Sequence, residues 1–288
     1  MRTNILFISL FLTQIFTLSF YLPRKVRNRI NYVLKNYPPA QFPNLYTQSI
    51  EVYQMKVKMF WAFNLLILAA GMMIVVGLIV YSPDLSAANT ERWDQALVAV
   101  WFFVQVFPMI LMEIGAFSHF KRMREANSQT TRKALLQPRR LFDFISPALI
   151  GAAVIIYALF VALVIYMRQF DYPWFGGYAN IAGVTIVNLL FAGMLFWKMY
   201  GKKQDPYQAD GTRKEEIRLV AKQMVFTSIA VTIHIAMSIL LAAFELRHLQ
   251  SVAQIVYFQL IAIVGFQMLR VDQIDFEVYK SEPAPVSS

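Results

Sequence analysis

Cysteine is absent from the 288 residues, so no disulfide framework, thiolate metal site or cysteine nucleophile operates in this chain. Charge is scarce too: Asp, Glu, Lys and Arg make up 15% of the residues, against about 25% in an average soluble domain. Histidine occurs only at His119, His234 and His248, which fall near one membrane interface, near the midplane and in a turn on the other side. No two of them lie at the depth that a shared zinc or haem iron requires. The last apolar stretch holds no lysine for a retinal Schiff base. A Gly-rich phosphate loop, a paired intramembrane carboxylate and an Asn-x-Ser/Thr sequon are also missing. Ser238 follows His234 at i+4, but no acid at that depth orients the pair for nucleophilic catalysis. No catalytic motif marks an enzyme, and no cofactor is expected.

What the chain has in abundance is apolar surface, at 58% of residues. Seven stretches reach the roughly 17 to 25 residues that cross a hydrocarbon core as a helix. They run at about 4–22, 59–81, 95–118, 146–167, 179–199, 224–244 and 250–269. The expected fold is all-α, a polytopic membrane helical bundle of about seven transmembrane helices. One transmembrane domain spans 1–272, and 273–288 form a cytoplasmic tail whose end, "SEPAPVSS", is expected to be disordered.

Lysine and arginine sort between alternate connections. Residues 23–58, 119–145 and 198–223 each hold seven, and the tail adds Arg270 and Lys280. Of the 27 basic residues only Arg2, Arg92, Arg168 and Arg247 fall on the opposite side. Basic connections stay on the cytoplasmic side, so the N-terminus is expected outside and the C-terminus inside. The same asymmetry reads the first stretch as a retained helix and not as a cleaved signal. Trp93, Trp174, Trp61, Trp197 and Tyr200 fit interfacial aromatic belts. The net charge of +10 is explained by topology, so nucleic acid is not expected as a partner. Anionic headgroups of the bilayer are expected at the basic inner connections. The lack of cysteine, sequons and a long outer domain favours a bacterial inner membrane over a eukaryotic cell surface.

Between spans, "TRKEEIRLVAKQ" places Thr212 three residues before Glu215, a capping-box spacing that predicts a helix entering the sixth span. "NYPPAQFPNLY" reads as a proline-punctuated turn after a short basic amphipathic stretch.

The remaining signal is polar side chains inside the spans, which are costly in lipid. With a rise of about 1.5 Å per residue, Gln14, Gln105, Tyr157, Asn188, His234 and Gln259 fall within about a turn of the midplane. Asn64, Glu113 and Gln267 fall roughly 10 Å nearer the cytoplasm by the same arithmetic. Ala230, His234, Ser238 and Ala242 form a small-residue stripe that turns His234 into the bundle. Gln105, Met109 and Glu113 read as one inward face, with Pro108 loosening the backbone beside them. Glu113, His234, Asn64, Gln105, Asn188, Gln259 and Gln267 are therefore the candidate proton or solute site. The bland alternative is that they are interhelical hydrogen-bond struts. Two functions follow: a small-solute transporter or permease with a polar midplane site, or a sensor or accessory subunit acting through a membrane or cytoplasmic partner protein.

Overall fold

A computed structural model describes residues 2–81, 90–126, 140–201, 203–266 and 275–280. Its regular elements are all helical: α1 (Arg2–Phe16), α2 (Leu22–Asn36), α3 (Ile50–Tyr81), α4 (Thr90–Ala126), α5 (Pro147–Met167), α6 (Tyr178–Tyr200), α7 (Asp210–Ala243) and α8 (Gln250–Phe266). Short 3-10 turns cover Pro43–Leu45, Leu141–Asp143, Arg247–Leu249 and Phe276–Tyr279. Among the described residues, seven helices are long and apolar enough to cross a membrane, the architecture of a multi-pass membrane protein.

The first of them runs from Ile5 to Asn36, well past the end expected near residue 22. Pro23 lies within this continuation, although proline lacks an N–H and its ring clashes with the carbonyl four residues back. A π-helical turn over Thr17–Tyr21 absorbs it, and the Leu22 N–H reaches back five residues to the Thr17 carbonyl. The chain thereby passes from α1 into α2 without breaking.

The helix ahead of the sixth span also corrects an expectation. It starts at Asp210 with Ala209 as N-cap and no side-chain cap, so Thr212 and Glu215 lie inside it and form no capping box. Ser146 does cap α5, its hydroxyl accepting from the Leu149 N–H at 3.4 Å. Pro108 sits inside α4, which continues through it.

Burial follows one stripe per helix. In α3 the buried positions are Val57, Phe60, Asn64, Ile67, Gly71 and Val75, the three-and-four spacing of a single helix face. Ile67 and Val75 meet Phe7, Phe11 and Ile15 of α1, Val98 and Trp101 of α4, and Ile255 of α8, while Phe60 packs with Leu22, Val26 and Phe266. Helix α8 packs against α1, α4 and α7, while α7 also holds α5 and α6. The bundle is thus two groups, α1–α3–α4–α8 and α5–α6–α7, joined where α7 meets α8. Many large apolar side chains outside these stripes, such as Leu66, Met73, Leu159 and Leu189, are exposed, as a lipid-facing surface requires.

Described residues from all three basic connections meet residues 275–280 at one end. Phe42, Met123, Phe276 and Tyr279 form a buried cluster there, and the rings of Tyr37 and Phe276 stack at 3.9 Å. Arg124 donates through Nη1 to the Gln204 carbonyl at 3.1 Å. Residues 275–280 of the tail are therefore docked, while its end, 281–288, expected to be disordered, lies outside the described residues.

Candidate functional site

The most completely buried polar group of the bundle lies where α1, α3 and α4 meet. Gln14, Ser19, Asn64 and Gln105 are each 0% exposed. Gln14 donates through Nε2 to Gln105 Oε1 at 3.0 Å, and Gln105 donates through Nε2 to Ser19 Oγ at 3.0 Å. The same Gln105 amide also faces the Gln14 and Ile15 carbonyls at 3.4 and 3.5 Å, beside the π turn. Gln14 and Ser19 are five residues apart, which in an α-helix is about 140° around the axis. The wider π turn brings both into reach of one side chain on α4.

Asn64 belongs to this level. The rings of Phe63 and Phe107 meet at 6.4 Å, which sets the register of α3 against α4 near Gln105 and not near Glu113. Its amide is spent inside its own helix, donating to the Phe60 carbonyl at 2.8 Å. Two amide oxygens, Gln14 Oε1 and Asn64 Oδ1, remain buried and accept no hydrogen bond. The assignment of oxygen and nitrogen follows from chemistry: Asn64 must turn its N–H toward a carbonyl, and Gln105 must do the same toward two. One turn from Gln105 on α4, the Trp101 indole Nε1 is a buried donor without an acceptor. Buried polar groups are nearly always satisfied, so three orphans in one neighbourhood call for an explanation.

The other expected site residues are distributed over different helix pairs. Asn188 on α6 joins α7, donating to Thr232 Oγ1 at 3.3 Å and accepting from Ser228 Oγ at 2.9 Å. Gln259 on α8 joins α1, donating to the Leu10 carbonyl at 3.2 Å and Thr13 Oγ1 at 3.1 Å. Tyr157 and Thr185 pair at 2.5 Å between α5 and α6. His234 is half-buried and stacks on Tyr257 of α8 at 4.3 Å and 9°, with its Nδ1 unpaired. Gln267 lies outside the described residues. Ser19, Thr232 and Ser228 were not among the expected site residues. Small hydroxyls inside apolar runs carry little sequence signal until a partner is known.

Glu113 corrects the expected inward face. Its side chain is exposed among exposed Ile110, Ile114 and Phe117, and none of the described lysines or arginines forms an ion pair with it. Eight residues past Gln105 is two turns plus about 80°, enough to rotate Glu113 off the buried stripe.

At the basic end, Asp205 is buried at 6% exposure and accepts from the Tyr279 hydroxyl and from the Tyr207 N–H at 2.9 Å. Burial pushes the Asp205 carboxyl above the usual range despite those bonds. Burial and then the Asp205 charge push the Tyr279 phenol up as well. Among the described residues no three His, Asp or Glu side chains come together as metal ligands. No protein-family model matches the chain, and no curated protein or solved structure is similar to it.

Proposed function

We propose that the chain is a small-solute permease whose binding site is the buried polar centre between α1, α3 and α4. The supporting observation is the pair of orphan oxygens, Gln14 Oε1 and Asn64 Oδ1, with the Trp101 indole donor one turn away. Two acceptors and one donor without a formal charge suit a small hydroxylated or amide solute, which offers hydrogen-bond donors and an acceptor together. Membrane carriers place such sites where a spanning helix departs from α geometry, and the Thr17–Tyr21 π turn is that departure. Solute entry requires α1 and α4 to part, and the π turn and Pro108 flank the centre as the two irregular points. In this reading the basic end faces the cytoplasm of a bacterial inner membrane.

The cysteine-free background makes the test direct. Asn64→Cys and Gln14→Cys in proteoliposomes react with a small hydrophilic thiol reagent if the centre opens to water, and a polyol or amide solute protects them. Silence at both sites, with labelling at an exposed Lys214→Cys control, rejects the permease.

A second reading, an accessory subunit, rests on Glu113. A carboxylate turned outward from α4 among Ile110, Ile114 and Phe117 is costly against lipid and is relieved by a partner helix offering a donor. Loss of that partner in Glu113→Gln, with the stability of the chain unchanged, tests this reading.

A further inference from the structure

Helices α2 and α3 run side by side at the basic end and enclose a cleft of about 460 Å³. Its lining is Arg27, Asn31, Leu34, Lys35, Gln54, Val57 and Lys58. Three of these are cations, two are amides and none is an acid. Arg27, Asn31 and Lys35 recur every four residues along α2, so one face of that helix carries a line of donors. Gln54 and Lys58 repeat the same spacing on α3. Val57, 5% exposed, closes the floor.

The guanidinium of Arg27 lies over the Trp61 ring at 5.0 Å, which holds it at the membrane-facing end of the cleft. Neither Lys35 nor Lys58 forms an ion pair with a described carboxylate. Glu51, one turn beyond Gln54 on α3, does not line the cleft. Like charges converging on one cleft repel each other, and a bound anion offsets that cost. Arg and Lys together with amide donors match the three or four oxygens of a phosphate group.

We propose that this cleft binds a phosphate group, with Arg27, Lys35 and Lys58 as its cations and Asn31 and Gln54 as further donors. Two sources share that chemistry: the headgroup of an anionic phospholipid, entering sideways from the bilayer, and soluble phosphate. The proposal is independent of the permease reading, since the cleft shares no residue with the buried polar centre.

The test uses the full chain in phosphatidylcholine nanodiscs carrying a trace of spin-labelled phosphatidylglycerol, whose immobilised fraction reports occupancy. Arg27→Gln, Lys35→Gln and Lys58→Gln each lower the apparent affinity roughly fivefold, the effect of about one surface cation. Lys214→Gln and Lys222→Gln, which remove equal charge from the same end, change it less than about twofold. Circular dichroism confirms that each variant keeps its helices. Displacement of the label by inorganic phosphate assigns the cleft to a soluble anion, and resistance to displacement assigns it to the headgroup. Equal losses in cleft and control variants, or no immobilised lipid and no phosphate binding at all, overturn the proposal.

Discussion

Gln14 on α1 and Gln105 on α4 are joined side chain to side chain at 3.0 Å, and both are fully buried. Ninety-one positions apart in sequence, they fasten the first helix to the fourth in a place where water offers no substitute partner. Interhelical bonds of this kind contribute about 1–2 kcal/mol at most in membrane bundles. Gln105→Leu removes the contacts to both Gln14 and Ser19 and lowers stability by about 2 kcal/mol. Thermal unfolding in detergent measures it. In a double-mutant cycle with Gln14→Leu, the combined loss falls short of the sum of the two.

Gly71 explains how those helices come so close. A Cβ there would stand 2.9 Å from Ile15 Cγ2 and 3.1 Å from Trp101 Cζ2. Gly71→Ala wedges α1 and α4 away from α3 and costs about 1–3 kcal/mol. Gly77, where an added Cβ meets nothing within 4 Å, is the control. Gly77→Ala is neutral or slightly stabilising, because alanine favours the helix by up to about 1 kcal/mol.

The apolar runs made the seven helices legible, since length and composition alone settle what spans a bilayer. Their continuity beyond the bilayer was not legible, because Pro23 reads as a stop unless the π turn before it is known. Depth arithmetic placed Gln14 and Gln105 at one level. The same arithmetic puts Asn64 with Glu113 when the span begins at residue 59, whereas α3 begins at Ile50. The packing of Phe63 on Phe107 sets that register, and no local pattern encodes it. The inward orientation expected for Glu113 fails for a simpler reason: a face counted by fours drifts by about 40° every four residues. The orphan oxygens were beyond reach of any sequence argument, since only the partners of Gln105 and Asn64 reveal which atoms are left over.

Docking of residues 275–280 depends on pH through Asp205 and Tyr279. Both groups titrate higher in the docked state than their ordinary 3.8 and 10.0, so docking favours the protonated forms. Docking is therefore strongest at acid pH, weakens as pH rises through the raised Asp205 value, and weakens again above about pH 10 as the phenol ionises. A spin label at the exposed Glu277→Cys reports this as growing mobility toward high pH. Asp205→Asn keeps an acceptor for Tyr279 and abolishes the first step. Asp205→Ala leaves the phenol unpaired and weakens docking by about 1–3 kcal/mol at neutral pH.

Glu113 separates the two functional readings. Its carboxylate touches none of the hydrogen-bonded residues at the polar centre, and its neighbours on α4 face outward with it. Glu113→Gln therefore leaves the isolated bundle within about 0.5 kcal/mol of its original stability, the range of a surface substitution. Solute uptake through the Gln14 and Asn64 centre is likewise unchanged by it. If a partner helix docks on α4, the same variant loses that partner, because a neutral amide cannot match the charge-assisted bond of a carboxylate. Size-exclusion chromatography of the complex extracted in mild detergent, beside thermal unfolding of the chain alone, reads the two effects separately. Loss of the partner with unchanged stability supports the accessory subunit, and loss of neither removes Glu113 from its docking surface. A stability loss above about 2 kcal/mol in the isolated chain contradicts the outward position of the side chain.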